Sequence, residues 1–188
     1  DKESFAMCRD LLAKEGIWVG ISSGSAVCGA LKYAKTLKEK KLIGKRLKMS
    51  LTKNRTGELW SGFSPEIKRI QNPCNNEKIS MQIYGSGYFE QFNPDDEFEK
   101  WASIEVKDFN NIPKGLESFL LKAGLYAIFY YRGPGNDRAV FHYIFTEWLP
   151  NSGYLLDKRP HFEILGDKYK NNDPDSEEEI WIPVRKKP

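Results

Sequence analysis

Gly124-Leu-Tyr-Ala-Ile-Phe-Tyr-Tyr-Arg-Gly-Pro-Gly135, then Ala139-Val-Phe-His-Tyr-Ile-Phe-Thr-Glu-Trp148, then Pro160-His-Phe-Glu-Ile164: the reading of these three runs decides the fold. Leu125 to Tyr131 is a β-branched and aromatic run, which predicts a strand. Gly133-Pro134-Gly135 breaks it. Val140, Ile144, Phe145 and Trp148 recur at helical spacing and predict a helix from about Asp137 to Trp148, stopped by Pro150 and Gly153. A short strand follows over His161 to Leu165, and it carries one acid, Glu163, between Phe162 and Ile164. Side chains alternate across a strand, so Glu163 points to the face that Phe162 and Ile164 avoid. On residue types alone that face is either solvent or a pocket.

Outward from this segment the same order of elements recurs. Leu42 to Leu51 alternates as a strand and turns at Thr52-Lys53-Asn54-Arg55. Thr56 is placed to cap a helix that contains Leu59, Trp60, Phe63, Ile67 and Ile70, with Pro65 bending it. Asn72 to Glu77 reads as a polar loop and Ile79 to Tyr84 as a strand interrupted by Gly85-Ser86-Gly87. A further strand runs from about Glu97 to Val106, and Phe109 to Gly115 connects it to a strand from about Ser118 to Tyr131. The last strand spans Glu178 to Val184. Strand, helix, strand, strand thus occurs twice, with Trp60 and Trp148 on the two helices, as a duplicated βαββ unit. Two such units side by side predict an α+β fold: an antiparallel-rich sheet, helices on one face and a central ligand groove between the halves.

The composition narrows the function classes. The chain of 188 residues is 40% hydrophobic and 13% aromatic, enough for a sizeable core. Its net charge of +3 is dispersed, basic over Lys38 to Lys48 and acidic over Asp173 to Glu179, which is not a nucleic-acid footprint. No direct nucleic-acid contact and no membrane contact are expected, because no apolar run approaches the roughly 20 residues of a span and the first residues lack a signal-peptide layout. Cys8, Cys28 and Cys74 are widely spaced without C-x-x-C pairing, which suits free thiols in a cytoplasmic protein. His142 and His161 lack metal-like spacing. Asn171 to Glu179 lacks the glycine and ligand register of a calcium loop and reads as a solvated loop before the last strand. No metal and no cofactor are expected.

Residues 1–39 form a separate segment. Phe5, Cys8, Leu11 and Leu12 recur at helical spacing before Gly16, Ile17 to Ile21 is a short apolar strand, and Ser22-Ser23-Gly24-Ser25 opens a second helix with Val27, Leu31, Ala34 and Leu37 on its apolar stripe. A Gly/Ser turn at a helix start is an anion site or a plain cap. The run Glu15-Gly-Ile-Trp-Val-Gly-Ile-Ser-Ser-Gly-Ser-Ala-Val27 resembles the late part of the cysteine synthase and cystathionine β-synthase family. The resemblance implies pyridoxal phosphate near Ser22, Ser23 or Ser25. The rest of the chain has no Schiff-base lysine motif, asparagine loop or Gly/Thr-rich phosphate turn, and the lysine and cofactor carry that chemistry.

Residues 40–188 carry a second resemblance. Lys41-Leu-Ile-Gly44, Met49-Ser-Leu-Thr-Lys-Asn-Arg-Thr-Gly-Glu-Leu-Trp-Ser-Gly-Phe63, Pro113-Lys-Gly-Leu-Glu-Ser-Phe119, Ala123-Gly-Leu-Tyr-Ala127 and Glu179-Ile-Trp-Ile-Pro-Val184 are similar to the GyrI-like effector-binding domains attached to many AraC-type and MerR-type bacterial regulators. The resemblance implies the duplicated βαββ fold and a groove that binds aromatic, lipophilic, often cationic small molecules through a glutamate in the short strand of the second unit, which by motif is Glu163. A cation would answer that charge while Trp60, Phe63, Tyr84, Trp101, Tyr126 and Trp148 stack on its flat body. Two alternatives accompany this reading. One is a hydrolase of cyclopropane-containing DNA-alkylating compounds, with Glu163 catalytic by orienting or deprotonating water. The other is interaction with a protein such as DNA gyrase.

Overall fold

Two βαββ units, each pairing its outer strands through its last one, meet along their middle strands. The computed structural model describes residues 31–135 and 139–188. Strand β1 is Leu31–Leu37 and β2 is Lys40–Met49. Helix α1, Thr56–Phe63, runs into a 3-10 turn, Ser64–Arg69, with Pro65 in its first positions, where the missing N–H costs nothing. Strands β3, Pro73–Ile83, and β4, Phe98–Val106, complete the first unit; β5, Glu117–Leu121, precedes the second. That unit comprises β6, Gly124–Arg132, the helix α2, β7, Tyr154–Leu156, β8, His161–Leu165, and β9, Glu177–Lys186. Helix α2 begins as Ala139–His142, widens to a π-helical stretch over Tyr143–Trp148 and ends as Leu149–Asn151.

The described strands form one sheet of order β1-β6-β9-β8-β3-β4-β2-β5, with β7 beside β9, and every pairing is antiparallel. Within each unit the first strand pairs with the last and the last with the middle one, so the two halves are alike and join at β3·β8. Short turns after β1 and after β5 carry the chain between opposite ends of the sheet, which curls it around its inner side.

Register decides which residues share a face. Lys45, Ala102, Ser80, Glu163, Ile180 and Phe129 stand opposite one another along a row on the helix side. The adjacent row, Arg46, Trp101, Met81, Phe162, Trp181 and Ile128, points to the other side. Apart from the exposed Arg46, that second row belongs to a buried cluster with Leu37, Leu42, Leu121 and Tyr126 inside the curl. On the helix side, Leu59 and Phe63 of α1 pack with Ile43, Ala102 and Ile104, and Val140 and Ile144 of α2 pack with Phe129, Ile180 and Ile182. Each helix therefore covers its unit's outer strands and leaves the seam between β3 and β8 to other side chains. Among the described residues no helix is long and apolar enough to cross a membrane, and no group of acids, histidines and cysteines could hold a metal ion.

Several local expectations differ from the structure. Leu31–Leu37, read as the end of a helix, is a strand along the open edge of β6, where pairing outweighs a weak helical preference. The other readings for residues 1–30, including Ser22, Ser23 and Ser25, lie outside the described residues. Thr56 is not the cap: Arg55 holds that position, and Thr56 accepts the helix entry through its N–H donating to Asn54 Oδ1 at 2.9 Å. Pro73 to Glu77 is strand rather than loop, with a register shift against β4 before Lys78. The single strand expected from Ser118 is two, because β5 pairs with β2 while β6 pairs with β1 and β9. Strand β7 was not expected.

Gly44 on β2 lies tight against the backbone of β4. A Cβ there would overlap the Ala102 carbonyl and lie 2.7 Å from Ser103 Cβ. Gly44→Val therefore forces β2 and β4 apart, and we expect a loss on the order of 2 kcal/mol or more in denaturant unfolding. An unchanged midpoint would show that the strands yield freely there.

Candidate functional site

Four side chains of β3 and β8 create the polar floor at the seam. Glu163 on β8 stands opposite Ser80, two residues from His161, which stands opposite Gln82. Gln82 Nε2 donates to Oε1 of the half-buried Glu163 carboxylate at 3.0 Å. Tyr84, at the end of β3, faces Glu163; burial first and that acid second raise its phenol well above the usual range. His161 is 6% exposed, and burial pushes its pKa down to about 3, so its ring is neutral at physiological pH.

Above this floor lies a strip of rings supplied by the loop between β3 and β4. Phe89 lies parallel to His161, 3° between planes and 5.2 Å between centroids. It also stacks on Phe145 of α2 at 5.2 Å and 29°, Phe145 itself lies 6.0 Å from His161 so that the three rings form a triangular cluster, and Tyr84 meets Phe89 edge-on at 4.9 Å. Tyr88 packs on Tyr84 at 4.5 Å, and Gly87 makes the turn possible with φ +83°. Phe89 is nevertheless 37% exposed, an incompletely covered ring bridging the two units. The groove between the helices is thus occupied by the chain's own aromatic loop. Two clefts, of about 540 and 420 Å³, open beside that loop, on the Gly85–Tyr88 turn and next to Lys48 and Arg55, and Glu163 lines neither.

A second acid enters from β9. Glu178 shares the helix side with Ile180, diagonally next to Glu163. Burial, then the charge of Glu163, raises its pKa to about 7, with Lys100 of β4 opposing the shift. Tyr169, from the loop after β8, is raised by burial, Glu178 and Glu163, which places its phenol beside both acids.

The expected ring set divides between the two sides of the sheet. Tyr84 is beside Glu163. Trp60 and Phe63 belong to the α1 cluster, where Phe63 is fully buried and Trp60 meets it edge-on at 6.0 Å. Trp148 packs edge-on against Phe129 beneath α2. Trp101 and Tyr126 lie on the opposite side from Glu163, in the inner cluster, Trp101 donating to Glu99 at 2.7 Å and Tyr126 to the Pro160 carbonyl at 3.1 Å. Their parity along β4 and β6 turns them away from the side that Glu163 faces. Phe89, Phe145, His161, Gln82, Glu178 and Tyr169 were not singled out for the site.

A sheet of two βαββ units with an acid and a ring stack at their seam defines a small-molecule-binding domain of the effector type. The chain belongs to the GyrI-like small molecule binding domain family, whose model matches residues 34–185. It is 27% identical over 130 residues to the transcriptional regulator BrlR of Pseudomonas aeruginosa, a match covering 68% of this chain and 46% of that protein, so the chain spans about half the length of that relative. The fold resembles the EcmrR C-terminal domain with a TM-score of 0.60 at 17% identity, over 82% of this chain and 97% of that one. It also resembles SAV2435 bound to tetraphenylphosphonium, TM-score 0.54 at 18% identity, over 81% and 93% of the two chains. A hydrolase encoded by lin2189 from Listeria innocua shares the fold at TM-score 0.53 and 12% identity, over 85% and 94%. A stretch of 39 residues is 59% identical to cystathionine beta-synthase of Dictyostelium discoideum, covering 21% of this chain and 8% of that enzyme.

The raised Glu178 gives a stability prediction. Its ordinary value is 4.5 and its folded value about 7, so the folded state holds the proton more tightly. Its contribution is therefore present below about pH 4.5 and lost as pH rises through 7. Glu178→Gln should melt several degrees above the native protein at pH 8, a gain of roughly 2 kcal/mol. The difference should vanish near pH 4; an equal difference at both would contradict the assignment.

Proposed function

We propose that the seam groove binds flat, aromatic, cationic small molecules, and that the domain serves as a ligand sensor or sequestering module. The observation that carries this is Glu163: a half-buried carboxylate at the centre of the helix side, bonded to the neutral Gln82 amide and bordered by Tyr84 and His161. A buried carboxylate without a cation is costly, and an incoming positive charge relieves that cost. A flat ligand would take the place of Phe89 in this ring cluster, parallel to His161 and beside Phe145, with a charge added. The tetraphenylphosphonium in the related SAV2435 structure is an aromatic cation, which supports this class. The whole regulator's output, as in a protein of BrlR's length, would be carried by segments outside this domain.

Fluorescence titration with ethidium, a flat fixed-charge cation, tests the reading. The native domain should bind it, Glu163→Gln should weaken binding about tenfold, and Phe89→Ala should strengthen it several-fold by removing the competing ring. No binding by the native protein, or equal binding after Glu163→Gln, would overturn the proposal.

One observation favours hydrolysis as a second reading. Glu178, raised to about 7, could exchange a proton near neutral pH beside Glu163, and acids with separated proton affinities suit acid–base chemistry. Product formed from a cyclopropane-containing alkylating compound by the native protein and lost in Glu163→Gln would support it; unchanged compound would retire it.

A further inference from the structure

Strand β9 opens with three consecutive acids, Glu177, Glu178 and Glu179, and the pleat sends the middle one to the opposite side from its neighbours. The two outer acids are answered. Glu177 pairs with Lys168 at 2.9 Å, and Glu179 accepts a hydrogen bond from Trp181 Nε1 at 2.9 Å. Glu178 faces the seam, and among the described residues it has neither a hydrogen bond nor an ion pair. Its carboxylate lies near Tyr169 and near Gly135, where an added Cβ would come within 4.0 Å of Oε2. The charged and titratable groups facing the two acids are Lys100 from β4, Tyr84 from β3, His161 from β8 and Tyr169 from the loop after it.

A separate observation in the same groove points to a missing polar partner. His161, only 6% exposed, shares the side and strand of Glu163, and among the described residues no hydrogen bond reaches its ring nitrogens. A neutral imidazole keeps one nitrogen free to accept an N–H from a bound molecule. Among the described residues the floor thus offers two carboxylates on neighbouring strands, one neutral acceptor and a ring face for stacking, against a single lysine.

We propose that this groove selects ligands with two positive charges on or beside a flat ring system, Glu163 taking one charge and Glu178 the other. Glu178 is then a specificity-determining residue. The inference rests on the small-molecule reading above and extends it from cations to dications. A single positive charge answers Glu163 and leaves Glu178 free to keep its proton. A second positive charge needs Glu178 ionised, so it displaces that proton. Because the free acid titrates near 7, dication affinity rises as pH passes through 7, while monocation affinity rises less.

Ethidium and propidium share one phenanthridinium ring and carry one and two charges that do not titrate between pH 5.5 and 8.5. The ratio of their association constants, propidium over ethidium, should rise about tenfold between those two pH values with the native domain, the effect of one added charge contact in a partly screened groove. With Glu178→Gln, which is expected to fold, the ratio should be the same at both ends. Calorimetry of the native protein near pH 7, in buffers of different ionisation enthalpy, should show more proton release for propidium than for ethidium. Ethidium binding with a flat ratio and equal proton release would overturn the dication proposal alone, as would a ratio that rises equally in Glu178→Gln. Binding of neither dye would overturn both readings.

Discussion

The antiparallel pairing of β3 with β8 is the interaction on which the rest depends. Ser80 opposite Glu163 and Gln82 opposite His161 join two units whose strands hydrogen-bond to each other nowhere else among the described residues. The same register fixes which side the acid faces, since a slip of one residue would exchange Glu163 for Phe162 and bury the carboxylate inside the curl. Phe162, 1% exposed and stacked on Trp181 at 5.1 Å, holds that register by the area it buries. Packing on one side of the seam thus positions chemistry on the other.

The electrostatic arrangement runs against stability. Two acids share the helix side while the flanking acids of β9 are both paired. Each helix packs mainly on its own unit, so among the described residues the groups over the acids are rings, Phe89, Phe145 and Tyr169, rather than cations. A well-packed core would place an apolar residue at Glu178, as it does at Ile180 and Ile182 two and four positions on. Local disagreement with packing rules of this kind is expected where a protein binds something.

Much of the fold was legible. The twice-repeated order of strand, helix, strand, strand follows from periodicity and breakers, and the short strand with its single acid lies where the pattern placed it. The aromatic residues named for the site by type divide between the two sides of the sheet. Trp101 and Tyr126 are as aromatic as Tyr84, but the side they face depends on strand parity relative to Glu163, and parity across strands needs a register that no single sequence states. Phe89 follows a Gly-Ser-Gly interruption that resembled an ordinary loop, and Glu178 was hidden in an acidic run that resembled a solvated one. A signal existed for the latter: Glu178, Ile180, Ile182 and Val184 form one alternating series, and three of its four members are buried. Leu31–Leu37 was misassigned because its pairing partner, β6, lies about 90 residues away.

The account stands on where a flat cation lies. A crystal structure of the domain with ethidium bound is the most direct measurement. It should show the ring plane stacked on His161 beside Phe145, Phe89 displaced, and the charged ring nitrogen nearest Glu163. Ethidium held inside the curl by Trp101 and Tyr126, or on the outer clefts with Phe89 still in place, would contradict it.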